Sequence, residues 1–311
     1  MSTIKTSLPN EQLRAIFGDD LQTNVPMARY TAARVGGAAD TLLVVKSSQQ
    51  LMRVAIMLWK SAIPFRILGG GSNVLISDAG VRELILLNRA KSISIETDTA
   101  PPTVWAESGA NFGKVARQSA AHNLSGLVWA CGIPGTVGGA VFGNAGAHGE
   151  DVAGHLVMAE ILQQNGQKVS WSADEMRFTY RSSRLKRENI QAIILSARFR
   201  LSSISSENVQ RQMEEFDNYR HRTQPPGASM GSMFKNPPED YAGRLIEAAG
   251  LKGTCTGGAE ISTLHANFFI NHGGATASDI YALLKIAQDT VAEKFDLLLE
   301  PEIEFVGDWE R

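Results

Sequence analysis

Short apolar runs alternate with amphipathic stripes along the first part of the chain. Residues 41–45 (TLLVV) read as a buried strand entered through a Gly36-Gly37 bend. In 47–62 the residues Leu51, Val54, Ala55 and Leu58 share one face at helical spacing, which predicts an amphipathic helix. Residues 65–68 (FRIL), between Pro64 and a glycine run, read as a strand, and 83–87 as another. The result is a small α/β unit ending near Asn88, with 1–28 as a short helix and covering arm. Further on, 103–107 predicts a strand and 111–122 a helix with Phe112, Val115, Ala116 and Ser119 on its stripe. Residues 155–164 and 167–171 flank Asn165-Gly166, which predicts a hairpin closed by a type I′ turn. A long strand follows at 190–201 and a charged connecting helix at 207–222. Prolines near both ends of 224–237 predict an irregular loop. The remainder predicts a short helix at 240–249 capped by Gly250, a buried strand at 265–271 and a long helix at 276–294. Thr276-x-x-Asp279 opens that long helix as a capping box. A closing strand at 298–307 carries Glu300, Glu302 and Glu304 on one face, so at least one should be solvated and another paired.

Composition narrows the class. The chain has 311 residues, 43% of them apolar, enough for two or three cores. A formal net charge of −2 supplies no basic surface for nucleic acid or an anionic membrane. Two cysteines, Cys131 and Cys255, form no framework, which fits a reducing compartment. No apolar leader or membrane-length run is seen, so a cytoplasmic protein is expected. The six histidines have no metal-ligand spacing, and no metal is expected.

Candidate chemistry lies in two glycine-rich stretches. Gly69, Gly70 and Gly71 follow a strand and precede Ser72 and Asn73. Glycines allow positive φ and close approach, and successive N–H groups can form a phosphate-binding nest. The stretch is neither a Walker A loop nor a GxGxxG fingerprint, since Val74 stands three places after Gly71. Residues 131–150 (CGIPGTVGGAVFGNAGAHGE) hold seven glycines and three alanines in twenty positions, room for main chain against a flat ligand. Two such loops suit a dinucleotide. In 178–186 (FTYRSSRLK), Arg181 with Tyr180, Ser182 and Ser183 suits a carboxylate, which guanidinium binds through two parallel hydrogen bonds. Ser232, by itself, reads as an ordinary turn serine.

The order of motifs resembles the UDP-N-acetylenolpyruvoylglucosamine reductase family. The stretches that carry it are RVGG at 34–37, LGGGSN at 68–73, GIPGTVGG at 132–139, NAG at 144–146, YRS at 180–182, GSMFKNP at 231–237, HAN at 265–267 and LEPE at 299–302. The resemblance implies an α/β (α+β) protein: a two-domain FAD-binding unit of the vanillyl-alcohol-oxidase/PCMH-like type plus a C-terminal α+β substrate-binding domain. The expected divisions are 1–88, joined by a C-terminal strand at 298–311, then 89–205, then 206–297. FAD binding falls to Gly69, Gly70, Gly71, Ser72, Asn73, Ile133, Pro134, Gly135, Thr136, Gly138, Gly139 and Asn144. Arg181, Ser232 and Glu302 match catalytic positions, and Tyr180, Arg181, Lys235 and Asn236 match substrate-binding ones. NADPH is the implied hydride donor and UDP-N-acetylglucosamine enolpyruvate the substrate, with no nucleic-acid or membrane partner and a monomer expected.

The short spacing from Arg181 to Ser232 resembles the family's compact subtype, which lacks an inserted segment with a substrate-covering tyrosine. Glu304 stands where some relatives carry an arginine, and His148 where a tyrosine is expected. Cys131 reads as a packing residue, since no base stands beside it. Two alternatives remain open here: an FAD-dependent oxidase of the same fold, and a non-catalytic flavin- or nucleotide-sugar-binding relative.

Overall fold

A computed structural model describes residues 10–309, and the outer ends of the arm and of the closing strand expected above lie outside them. The chain divides into two compact units. The first comprises 10–43, 71–85 and 221–309 of the described residues, and the second 44–70 and 86–220.

In the second unit a five-stranded antiparallel sheet runs in the order Lys168–Trp171, Leu156–Gln163, Ala192–Arg200, Thr103–Glu107, Ile93–Glu96. The helix Phe112–Ala121 lies over it because its stripe is continuous; Phe112, Val115, Ala116 and Ser119 are all buried. The Asn111 side chain caps this helix by accepting from the Lys114 N–H at 2.7 Å. Phe112 packs on Phe199 and edge-on to Trp129, with ring centroids 5.6 and 5.8 Å apart. The amphipathic helix Ser48–Lys60 buries the four residues expected of it, Leu51, Val54, Ala55 and Leu58. Its capping serine is Ser47, and Glu107 reinforces the first turn by accepting from Ser48 N at 2.7 Å and Ser48 Oγ at 2.9 Å.

Glu107 is itself 6% exposed and also accepts from Ser92 N at 2.9 Å. Burial pushes its pKa up, but the hydrogen bonds from Ser48 and Ser92 outweigh this and hold it below the ordinary glutamate value. A lowered carboxylate stabilises the fold above its unfolded pKa, and that contribution is lost as pH falls through the folded value. Glu107→Gln points an amide at the Ser48 and Ser92 donors and should cost about 1–3 kcal/mol at neutral pH. Urea unfolding should show the deficit shrinking on acidification; a deficit constant with pH would remove the charge from this account.

The hairpin expected at 155–171 forms between Leu156–Gln163 and Lys168–Trp171, but its turn differs from type I′. Gly166 alone takes positive φ, +84°, and its N–H bonds to Gln163 O at 2.9 Å. The loop is therefore a tight turn followed by one left-handed glycine, so Asn165 stays in ordinary backbone space.

In the first unit, Leu21–Pro26 pairs antiparallel with the first residues of the strand Ala38–Val45. Only Leu21 and Val25 of that first strand are buried, so its sequence carries no alternation and reads as an arm. A three-stranded sheet of Cys255–Thr256, Ala259–Ile261 and Phe269–Asn271 packs with the helices Ala242–Ala248 and Ala277–Phe295. Leu245, Ile246, Ile261, Phe269, Leu283 and Leu284 form the centre of this core. Of the strand expected at 265–271 only the last three residues are strand, because His265 O accepts from Phe268 N in a turn. The long helix has the expected capping box, Thr276 with Asp279. Asp78 adds to it, accepting from Ala277 N at 2.9 Å and Ser278 N at 2.8 Å. The closing strand is shorter than expected: Glu304–Val306 pairs parallel with Val74–Ile76. No described helix is long and apolar enough to cross a membrane.

Candidate active site and cofactor cradle

The second unit contains most of the glycine cradle. Gly69 and Gly70 leave the strand Phe65–Leu68 and meet Gly135 and Thr136. A Cβ on Gly69 would overlap the Thr136 hydroxyl, and one on Gly70 would lie 3.0 Å from the Gly135 Cα. Gly70 is needed because two main chains touch there with no side chain between them, and Gly69 because the Thr136 side chain fills the space a Cβ would take. The Gly135 carbonyl accepts from Phe112 N at 3.1 Å, and Gly138 N donates to Ser108 O at 2.8 Å, so the second loop is pinned on its inner side. Arg89 Nη1 donates to Gly69 O at 2.8 Å and fixes the first loop. Away from these contacts the main chain is open: Gly139 is exposed, and a Cβ on Gly143 would meet nothing within 4 Å. Close-packed behind and bare in front, this surface fits a flat group linked by phosphates. The small-residue composition and the pinned main chain therefore suit FAD. Gly71, Ser72 and Asn73 belong to the first unit, where the Asn73 amide donates to Glu302 O at 3.1 Å.

Arg181 occupies the tip of a turn in the second unit. Thr179 and Ser182 exchange both main-chain hydrogen bonds, at 3.0 and 3.1 Å, with Tyr180 and Arg181 between them. Arg181 has φ +53°, a left-handed conformation that such turns normally assign to glycine or asparagine. Its Nη1 donates to Gly146 O at 2.8 Å, and its guanidinium carbon lies 5.5 Å from the Tyr180 ring centroid. Tyr180 itself is 55% exposed.

Ser232, Lys235, Asn236 and Glu302 all lie in the first unit. The stretch around Ser232 is irregular, as its prolines predict, but it is pinned on two sides. Ser232 bridges Phe268, and Met233 N donates to Asn267 O at 2.9 Å. On the other side Glu302 N donates to Met233 O and Lys235 N to Glu300 O, both at 2.9 Å. Ser232 and Glu302 thus sit on adjacent extended chains, with Asn73 bonded to the second of them. Of the three glutamates, Glu300 pairs with Lys235 Nζ and is the one that is largely exposed; it precedes the strand 304–306, so the three do not share one strand face as expected. Asn236 Oδ1 accepts from Ala242 N at 3.1 Å and so holds the start of the helix 242–248.

Several supporting residues were not legible as such in the sequence. Asn267 grips the Ser232 segment by accepting from Phe234 N at 2.9 Å and donating to Phe234 O at 2.8 Å. Arg89 carries a sequence signal, an Asn88-Arg89 pair closing an apolar strand. His148 stacks on Phe216 with centroids 4.2 Å apart and meets Tyr219 edge-on; burial lowers its pKa and favours the neutral ring. Burial pushes the Cys131 thiol up to about 11, so it is an inert packing group, and both cysteines are free. No cluster of His, Cys, Asp or Glu able to hold a metal occurs among the described residues.

Residues 22–172 match the FAD binding domain family, and residues 222–306 match the UDP-N-acetylenolpyruvoylglucosamine reductase C-terminal domain. Fold and cradle therefore define an FAD-binding flavoprotein whose C-terminal part matches a second family domain. A UDP-N-acetylenolpyruvoylglucosamine reductase of Rubrobacter xylanophilus is 42% identical over 91% of this chain and 94% of its own length. The reductase of the same name from Chloroflexus aggregans is 39% identical over 92% and 97%. Among solved structures, the Thermus caldophilus reductase superposes with TM-score 0.77 at 35% identity, covering 91% of this chain and 97% of its own. The chain belongs to the UDP-N-acetylenolpyruvoylglucosamine reductase family.

Proposed function

We propose that the chain uses FAD to catalyse NADPH-dependent reduction of UDP-N-acetylglucosamine enolpyruvate to UDP-N-acetylmuramate, a reaction of peptidoglycan synthesis. The observation that carries this reading is the pinned Ser232 segment beside Glu302, in a chain that matches the family along nearly its whole length. Gly69–Gly71, Ser72 and Asn73, with 133–139, would hold the cofactor, whose bound form supplies the hydride taken up by the enolpyruvyl methylene carbon. The protein's own task is the accompanying charge and proton. Addition of hydride leaves negative charge on the neighbouring carbon and its carboxylate, where Arg181 would bind with two parallel hydrogen bonds. Ser232 Oγ would hold the proton delivered to that carbon, and Lys235 would stabilise the alkoxide left behind. Glu302, on the chain adjacent to Ser232, would orient the same end of the substrate, while Tyr180 and Asn236 would contact its remainder.

A three-part organisation accompanies this reading: 1–88 joined by the closing strand, 89–205 and 206–297. The parallel pairing of 304–306 with 74–76 supports the first grouping. The same reading makes the enzyme a cytoplasmic monomer without nucleic-acid or membrane partners; a net charge of −2 supplies no basic surface for nucleic acid.

The test is anaerobic. A yellow protein bleached by NADPH and recoloured by the enolpyruvyl substrate supports the reductase. Recovery only on admitting air would point to an oxidase, and a protein unable to take up FAD would defeat both. Arg181→Lys retains the charge but loses the fork, and should slow recolouring by about a hundredfold or more. Near-normal turnover of that variant would take Arg181 out of the site.

A further inference from the structure

Asn144 has the small-residue context of a cofactor ligand, but its side chain points to different work. It is 3% exposed. Its amide nitrogen donates to Asp151 Oδ2 and to Thr179 O, both at 3.0 Å, while its amide oxygen accepts from Ala153 N at 3.0 Å. Two acceptors face the nitrogen and one donor faces the oxygen, so the three contacts agree on one orientation; a flipped amide would set oxygen against a carboxylate and a carbonyl. Both amide hydrogens are engaged inside the protein.

One of those partners is the foot of the turn that carries Arg181. Thr179 and Ser182 close the turn, and Arg181 occupies its left-handed position. On the other flank Ser183, fully buried, donates from Oγ to Phe142 O at 2.7 Å. Phe142, Asn144 and Gly146 belong to one short stretch, and Gly146 O receives the Arg181 guanidinium itself at 2.8 Å. The turn is therefore clamped before, at and after its tip by consecutive parts of the glycine-rich segment. A residue held in an unfavourable backbone region persists only where its surroundings over-determine it, and here three hydrogen bonds do so.

We infer that Asn144 is a positioning residue for Arg181, holding the Arg181 turn to the glycine-rich segment through Thr179, with Ser183 as the second half of the clamp. The inference rests on the reductase reading above, because it gives Arg181 the substrate carboxylate to bind. It moves the Asn144 side chain out of the cofactor shell.

The experiment is a double-mutant cycle on the FAD-loaded enzyme. Asn144→Gly is the right probe because Asn144 has φ +47°, which glycine adopts without strain, so only the amide is lost. In single turnover, recolouring of the reduced enzyme by the enolpyruvyl substrate should slow by about a hundredfold, as expected when a binding group is misplaced. FAD affinity, read from flavin fluorescence, should stay within about twofold of wild type. On an Arg181→Ala background the same change should alter the recolouring rate by less than about twofold, because its effect passes through the missing arginine. Should Asn144→Gly fail to fold, Ser183→Ala carries the same cycle, with a slowing of about tenfold expected from loss of one buried hydrogen bond. Equal slowing on both backgrounds, or weaker FAD binding with recolouring unchanged once loaded, would overturn the positioning role and leave the reductase reading standing. An Arg181→Ala enzyme that recolours at the wild-type rate would overturn the positioning role by taking Arg181 out of the site, whereas a wild-type enzyme that the enolpyruvyl substrate cannot recolour would overturn the reductase reading.

Discussion

Ser232→Ala should leave bleaching of the bound flavin by NADPH intact and slow formation of the reduced sugar nucleotide by about a hundred- to ten-thousand-fold, the range for loss of a positioned proton donor. The split between half-reactions matters more than the size. The segment is held by main-chain bonds, Met233 to Asn267 and to Glu302, and none of them uses the Ser232 side chain. Removing one hydroxyl should therefore leave the fold and the cofactor loops in place. Stopped-flow absorbance of each half-reaction is the measurement. If both slowed equally, the serine would be structural and the proton would have to come from elsewhere.

The second large effect concerns Gly71. Its φ is +63°, and a Cβ there would overlap the Tyr30 carbonyl oxygen, which is main chain and cannot swing aside. Gly71 O also accepts from Ala32 N at 2.9 Å, so the crossing of 30–32 with 71 is held as well as crowded. Gly71→Ala adds backbone strain to a collision and should cost more than about 4 kcal/mol, a magnitude reserved for sites of this kind. The variant should purify without yellow colour and unfold at much lower urea than wild type. Ordinary stability with bound flavin would mean that the two chain segments can separate at little cost.

How much of this was readable beforehand depended on how local the cause was. The helix Ser48–Lys60 was legible because its four buried residues stand at one spacing, and the long C-terminal helix because its capping box is contained in four residues. The strand Leu21–Pro26 was not, since its two buried residues are four apart and its pairing partner lies across a bend. At the site, the motif order was legible in the eight short matches. The left-handed Arg181 was not, because arginine carries no sign of positive φ. The work of Asn144 was hidden for a similar reason: its partner Thr179 stands 35 residues away, and only the fold shows that they meet. Residue types announced the chemistry, while long-range hydrogen bonds decided which of them touch ligand and which hold another residue still.

The parallel pairing of 304–306 with 74–76, and the Asp78 carboxylate at the start of the helix 277–295, have a consequence for biosynthesis. Both join segments made far apart in time, across some 200 positions in the case of Asp78 and Ala277. The first unit therefore cannot close until residues 304–306 have been made, and the strand 74–76 lacks that partner until then. Long-range pairings of this kind form slowly, and an unpaired edge is a place where chains stick to one another. Synthesis of 304–306, rather than of the first glycine loop, is the step that completes the first unit.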